Sequence, residues 1–255
     1  KPEIVPIINT LMVNLMQSKK FKKIDFSWLK VTITGGMATQ ATVANDWQKI
    51  TGCVVNQGYG LSETAPIVSI TTYQQHDKFL GHVGKPLAGT TVKFLDNKGK
   101  CVKTGHVGEL CVKGPQVMHG YWRSLKETAA VLKNGWLKTG DLAYLDECGN
   151  LKIVDRIKDM IVVSGFNVFP SEVEKVLNQH EQIIETAVVG IKDNEDNEVV
   201  KAFVVVKGAV SEQDLKVFCK ESLAAYKVPS VITFVDEIPK SHVGKVLKRS
   251  LKQAV

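Results

Sequence analysis

Four stretches of this 255-residue chain carry side chains suited to a charged, planar ligand. In Gly58-Tyr59-Gly60-Leu61-Ser62-Glu63-Thr64, two glycines bracket an aromatic residue. Backbone there can come close to a flat ring system while Tyr59 offers a stacking face. Ser62 and Thr64 add hydroxyls, and Glu63 adds an anion able to hold Mg²⁺. The same residues also read as an ordinary capped turn that opens a helix. Asp141 follows a Thr139-Gly140 turn, where its carboxylate suits a pair of ribose hydroxyls or is simply an exposed turn aspartate. The block Asp155-Arg156-Ile157-Lys158-Asp159 packs four ionised residues into five positions, as a solvated linker or as a site for a charged ligand. Lys245 ends the run Pro239-Lys240-Ser241-His242-Val243-Gly244. Proline stiffens that entry and Gly244 permits a sharp turn, so a point-charge ammonium is held out in a way that suits a phosphate.

The elements around these residues fall into two textures. Pro2 to Gln17 has helical spacing at Ile4, Ile8, Leu11 and Leu15, with Pro6 delaying or kinking the helix. Leu29 to Thr34 reads as a buried strand running into the Gly35-Gly36-Met37 turn, Thr39 to Ile50 as a helix closed by Gly52, and Val54-Val55 as a second strand. This order predicts a parallel α/β sheet, in which ligands bind beyond the carboxyl ends of the strands. The Gly35-Gly36-Met37 turn and the Gln57–Thr64 segment then lie as loops at that edge. From about Gly81 the chain turns to short strands and hairpins, with turns at Asp96–Gly99 and Glu147–Asn150 and a capping box at Ser124–Glu127 opening a short helix.

Beyond the Ile161–Val163 strand and its Ser164-Gly165 turn a smaller α+β domain is expected. Its helices are predicted from a capping box at Ser171–Glu174, over Ser211–Leu223 and over Gly244–Leu251, and its strands over 186–191, 199–206 and 231–235. The predicted fold class is therefore α/β plus α+β. Its parts are an α/β portion over 1–80, an antiparallel β subdomain over 81–155, and an α+β domain over 156–255 behind a hinge at Lys158.

Composition bounds the function. A hydrophobic fraction of 44% and a charged fraction of 23% are those of a globular protein, and no apolar run approaches the roughly 20 residues that span a bilayer. The net charge of +7 favours an anionic partner, but no basic stripe with interleaved aromatics points to nucleic acid. Five widely spaced cysteines, with no CxxC pair or Cys/His cluster, imply neither zinc nor a disulfide framework, and suggest a reduced, cytoplasmic setting.

Taken in order, five segments resemble successive motifs of the adenylate-forming superfamily of acyl-CoA synthetases, peptide-synthetase adenylation domains and luciferases. They are GYGLSET (58–64), GELCVKG…GYW (108–122), WLKTGDL (136–142), DRIKDMIVVSGFNVFPSEVE (155–174) and PKSHVGKVLKR (239–249). Within that superfamily the chain looks most like bacterial long-chain fatty acid–CoA ligases.

The resemblance implies ATP-dependent activation of a fatty acid to acyl-AMP, followed by transfer to CoA. By the same analogy Lys245 and Glu63 are catalytic, Glu63 holding Mg²⁺. Gly36, Gly58, Tyr59, Gly60, Ser62, Asp141 and Arg156 bind the nucleotide, with Tyr59 on adenine, Ser62 on phosphate, and Asp141 and Arg156 on the ribose. Lys158 is the hinge, and Gly165 and Phe166 line the CoA path. The family's Ser/Thr/Gly-rich phosphate loop, normally upstream of GYGLSET, has no counterpart here, which suggests the C-terminal portion of a longer ligase with little activity alone. A carrier-linked adenylation domain, an aryl or short-chain acyl ligase and a non-catalytic nucleotide-binding module are the rival readings. A lipid substrate and the basic charge are compatible with peripheral contact with the inner membrane, and a homo-oligomer is compatible with everything read so far.

Overall fold

The computed structural model describes residues 1–72, 77–241 and 244–253. The chain divides between Ile153 and Val154 into two compact units. His242 and Val243, part of the run before Lys245, lie outside the described residues.

The first unit begins with strand β1 (Ile4–Ile7), helix α1 (Asn9–Gln17), β2 (Val31–Thr34), α2 (Ala41–Thr51) and β3 (Val55–Gly60). β1, β2 and β3 are parallel neighbours, as the strand–turn–helix–strand order predicted for β2 and β3. The start corrects the expectation of one helix from Pro2 to Gln17, because Ile4–Ile7 pairs with Val31–Thr34 instead. Pro6 has no N–H to give to a ladder or to a helix interior, and β1 is an end strand of its sheet, where that lack costs least. Only the residues beyond Ile8 keep the helical period. α2 ends at Gly52, whose φ of 71° is the left-handed conformation that glycine adopts without strain.

Behind the parallel strands Met12, Val43, Ala44, Trp47 and Val55 form one core. The Trp47 indole N–H is satisfied by Thr32 Oγ1 at 3.0 Å. The sheet then continues antiparallel through β4 (Ile67–Ile70) and β5 (Lys85–Pro86).

The remainder of the first unit is an antiparallel sheet. It consists of β6 (Thr91–Leu95), β7 (Gly108–Lys113), helix α3 (Leu125–Val131), the short β8 (Leu132–Lys133), β9 (Trp136–Leu145) and β10 (Leu151–Arg156), in strand order β10-β9-β7-β6. Val68, Leu110, Val112, Ala143 and Leu151 fill its core. The expected turns are present: Asp96 Oδ1 accepts from Lys98 and Lys100 N–H, and Asp146 Oδ1 from Cys148 and Asn150 N–H. β10 continues past the division into the second unit.

The second unit opens with a 3₁₀ turn over Ile157–Asp159 and the hairpin of β11 (Ile161–Val163) and β12 (Phe166–Val168). Ser164 and Gly165, at φ 49° and 84°, form its two-residue turn. Next come α4 (Pro170–Leu177), β13 (Ile183–Lys192), β14 (Glu198–Val206), α5 (Glu212–Lys220), β15 (Val231–Phe234) and α6 (Lys248–Gln253). β14 lies between antiparallel β13 and parallel β15. Val173, Leu177, Val188, Ala202, Leu215 and Cys219 make the main core, while Leu251 of α6 closes a second one with Ala187, Val189 and Phe203.

A capping box that was not expected forms at Ser211–Asp214, with Asp214 N–H given to Ser211 Oγ at 3.1 Å. The expected Ser171–Glu174 box does not. Pro170 already occupies the first helical turn, Ser171 Oγ donates to the Val154 carbonyl at 2.6 Å, and Glu174 accepts Val188 N–H at 2.8 Å. Tertiary partners outcompeted the local cap.

Candidate functional site

In the first unit, the carboxyl ends of β2 and β3 bring the two glycine segments together. Gly35 lies against the Gly58 carbonyl, so that a Cβ there would approach it to 3.3 Å. Gly36 follows at φ 80°. Gly58, Tyr59 and Gly60 are the last residues of β3, not a loop as expected, because they pair with Ile70, Ser69 and Ile67 of β4. That ladder skips Val68, and a Cβ at Gly60 would collide with the Pro66 carbonyl, so only glycine fits. Leu61 to Thr64 then turn as a short 3₁₀ segment. Ser62 is exposed, whereas Thr64 is fully buried and its hydroxyl serves Leu61 N–H at 3.0 Å. The hydroxyl expected from Thr64 is thus committed to the turn itself.

Asp141 departs from the exposed-turn alternative. Cys111 faces Lys138 and Glu109 faces Leu142, so Thr139, Gly140 and Asp141 together oppose the single Leu110. Gly140, at φ 71°, allows this bulge, and Thr139 Oγ1 fastens it by donating to the Leu110 carbonyl at 2.9 Å. The bulge turns Asp141 inward to 5% exposure, where Oδ2 accepts the Tyr59 hydroxyl at 2.6 Å. Two residues 82 positions apart, each singled out for the nucleotide, are therefore bonded directly. The bond fixes the carboxylate and the phenol in one arrangement, while the Tyr59 ring rests partly on the β-sheet core.

A cleft of about 260 Å³ runs beside this pair and is lined by Leu61, Glu63, Tyr121, Lys138, Thr139 and Gly140 among others. Glu63 is half-buried there and its Oε1 accepts the Tyr121 hydroxyl at 2.8 Å. That hydrogen bond, with burial and the Glu63 charge behind it, raises the Tyr121 phenol above its ordinary range. Sequence reasoning passed over Tyr121, since nothing local links it to a carboxylate 58 positions earlier. Its place in the GYW motif was the one available signal. Among the described residues no three His, Cys, Asp or Glu side chains converge. Glu109 also lines the cleft but is paired with Lys138 at 3.1 Å, and Glu63 fits Mg²⁺, an ion that is held by one or two carboxylates and completes its shell with water and substrate phosphate oxygens.

In the second unit Arg156 and Lys158 are exposed, Arg156 at the end of β10 and Lys158 inside the 3₁₀ turn. Gly165 and Phe166 form the tip of the β11–β12 hairpin, where the Phe166 ring is 56% exposed and stacks on Tyr226 at 4.8 Å. Lys245 is exposed at the end of a tight loop: Gly244 (φ 77°) gives its N–H to the Ser241 carbonyl, Ser241 gives its own to the Lys245 carbonyl at 2.8 Å, and Lys240 bridges Val246. Two ion pairs hold that loop from both ends, Lys240–Glu185 at 2.6 Å and Lys248–Glu174 at 2.8 Å.

The model of the AMP-binding enzyme family matches residues 1–122, and that of the AMP-binding enzyme C-terminal domain matches residues 172–245. Glu63 and Tyr59 fall in the first span and Lys245 closes the second, while Asp141, Arg156, Lys158, Gly165 and Phe166 lie between them. A long-chain-fatty-acid–CoA ligase of Escherichia coli O6:H1 is 48% identical over 246 residues, 96% of this chain and 44% of that protein. The ATP-bound structure of MatB from Rhodopseudomonas palustris superposes with a TM-score of 0.94 at 31% identity, over 100% of this chain and 51% of that one. The o-succinylbenzoate CoA synthetase of Bacillus subtilis, solved with its acyl-adenylate intermediate, gives 0.85 at 32% identity, over 98% and 50%. The chain thus spans about half the length of the proteins it matches or less. With both family models in chain order and the fold shared across its whole length, this chain belongs to the AMP-binding, adenylate-forming enzyme family.

Proposed function

We propose that the full-length polypeptide containing this sequence is an ATP-dependent long-chain fatty acid–CoA ligase. The observation that carries the reading is the convergence of GYGLSET and WLKTGDL on one cleft, with Glu63 in its wall and the Tyr59–Asp141 pair beside it. Similarity to the E. coli ligase supports the choice of acid.

In the first step a fatty-acid carboxylate oxygen attacks the α-phosphorus of ATP, and the bond to pyrophosphate breaks with its electron pair leaving on pyrophosphate. In the second the CoA thiol attacks the acyl carbon, loses its proton, and AMP departs with the electrons of the acyl–oxygen bond. Asp141, with Arg156, is assigned to the ribose hydroxyls, Tyr59 to the adenine, Ser62 to phosphate, and the glycines Gly36, Gly58 and Gly60 to close backbone approach to the nucleotide. Glu63 would hold Mg²⁺, which when bound neutralises charge on the polyphosphate. Lys245 is assigned to the charge that develops between carboxylate and α-phosphate. We further assign Lys158 as hinge of a mobile domain over 156–255, with 1–80 and 81–155 as parts of the larger domain, and Gly165 and Phe166 to the pantetheine path. The substrates would be met in the cytoplasm, or at the inner face of the membrane. Among the described residues no helix is long and apolar enough to cross one.

Pyrophosphate release by the full-length polypeptide, with palmitate, octanoate, acetate, 4-coumarate and amino acids, each with and without CoA, tests the reading. Preference for palmitate with CoA-dependent turnover is expected. Amino-acid activation, or turnover indifferent to CoA, would move the assignment to a carrier-linked adenylation domain.

A further inference from the structure

We infer that Tyr121 is a positioning residue for Glu63, holding that carboxylate toward the cleft where a nucleotide-bound divalent cation would sit. The inference rests on the assignment of Glu63 to the metal and extends it to a residue with no role so far.

The segment that carries Tyr121 is docked on Glu63 at two points. Met118 gives its N–H to the Glu63 carbonyl at 2.9 Å, and three residues later the Tyr121 hydroxyl reaches Oε1 of the same residue at 2.8 Å. The first contact fixes the backbone of the 3₁₀ turn and the second fixes the side chain. Tyr121 is itself pinned, its N–H going to Thr128 Oγ1 at 2.9 Å, while that hydroxyl donates to the Ser124 carbonyl at 2.8 Å. Thr128 belongs to α3, so a short helix with no buried residue of its own gains a purpose: it holds the phenol in place. At Gly120 a Cβ would come within 2.8 Å of Thr128 Cγ2, which explains why the chain needs glycine directly before the tyrosine.

A carboxylate with three rotatable bonds loses reach and entropy when it must find a cation unaided. One oxygen anchored by a rigid phenol leaves the group oriented before the ligand arrives. The Tyr121 hydroxyl donates and never touches the metal, which separates its role from that of a ligand.

The test uses the full-length polypeptide with a non-hydrolysable ATP analogue and Mn²⁺, following bound ion by electron paramagnetic resonance. Tyr121→Phe keeps the ring and removes the donor. It is expected to weaken Mn²⁺ binding about tenfold, near the lower end of what a hydrogen bond to a charged group is worth. Glu63→Gln should weaken it more, and adding Tyr121→Phe to Glu63→Gln should change nothing further. Steady-state assays of the same variants should show the half-saturating Mg²⁺ concentration rising while KM for palmitate holds. Unchanged or tighter Mn²⁺ binding in Tyr121→Phe, or full additivity with Glu63→Gln, overturns the positioning role. Unchanged binding in Glu63→Gln would instead overturn the metal assignment beneath it. A variant that loses only thermal stability counts against the inference, since a structural tyrosine would do the same.

Discussion

The acidic residues assigned in the first unit and the basic residues assigned in the second are held in opposite ways. Asp141 is 5% exposed and bonded to Tyr59, and Glu63 is bonded to Tyr121 in the wall of a cleft. Lys245, Lys158 and Arg156 are all exposed. The charge balance differs in the other direction, since residues 1–153 hold 19 Lys and Arg against 11 Asp and Glu, and residues 154–255 hold 14 against 15. The basic unit thus keeps its assigned anions in fixed, hydrogen-bonded places, while the nearly neutral unit presents its assigned cations at the surface, Arg156 at the end of β10 and Lys158 in the 3₁₀ turn. A desolvated carboxylate needs partners to be tolerated, whereas an exposed ammonium on a braced loop needs none and can reach a ligand late. Removing Lys245 should then cost catalysis without stability, and removing an anion should cost both.

The largest expected effect is that of Lys245→Ala. Adenylation by the full-length polypeptide should fall by about 10²–10³, the range for loss of one preorganised group on developing charge. Its melting temperature should hold, because Lys245 is exposed and no described carboxylate pairs with it. A large drop in both would erase the contrast. Asp141→Ala should behave otherwise, weakening ATP binding and destabilising the first unit by about 1–3 kcal/mol, since it removes the buried carboxylate that the Tyr59 hydroxyl meets at 2.6 Å. Tyr59→Phe should cost less stability when added to Asp141→Ala than it does alone, and chemical denaturation of the single and double variants checks it.

A smaller effect separates the two units by pH. Burial pushes the Cys219 thiol up to about 11, and burial with the Glu109 charge does the same for Cys111. The folded value lies above the unfolded one, so this stability is complete below about pH 9 and is lost as pH rises toward 11. About 1.4 kcal/mol should be gone from each unit by pH 10. Cys219→Ala should flatten that decline in the second unit only, and Cys111→Ala in the first only, read from thermal transitions between pH 8 and 10.5. The smallest signal is chemical: a thiol reagent at neutral pH should modify the exposed Cys101 and Cys148 quickly and the buried Cys53, Cys111 and Cys219 only on unfolding.

Much of this was legible beforehand where the signal is local. β-branched runs marked β2 and β11, Gly52 closed α2, and aspartates at 96 and 146 made their turns, because each depends on neighbours a few positions away. The order of five motifs carried the family. Expectations failed where a distant partner offered more than the local one. Ile4–Ile7 left its helical spacing for a strand beside β2. Ser171 and Glu174 gave up their cap for Val154, Val188 and Lys248, and the Gly58–Gly60 segment became strand because β4 was there to pair with it.

The sequence by itself determined which chemical groups this protein has and in what order they come, since motif and turn chemistry are written in adjacent residues. Only the tertiary structure decided how those groups are held. The bulge that turns Asp141 onto Tyr59, the two-point docking of the Tyr121 segment on Glu63 and the paired braces of the Lys245 loop each join residues dozens of positions apart. Their geometry is set by sheet register and core packing, which no local pattern encodes.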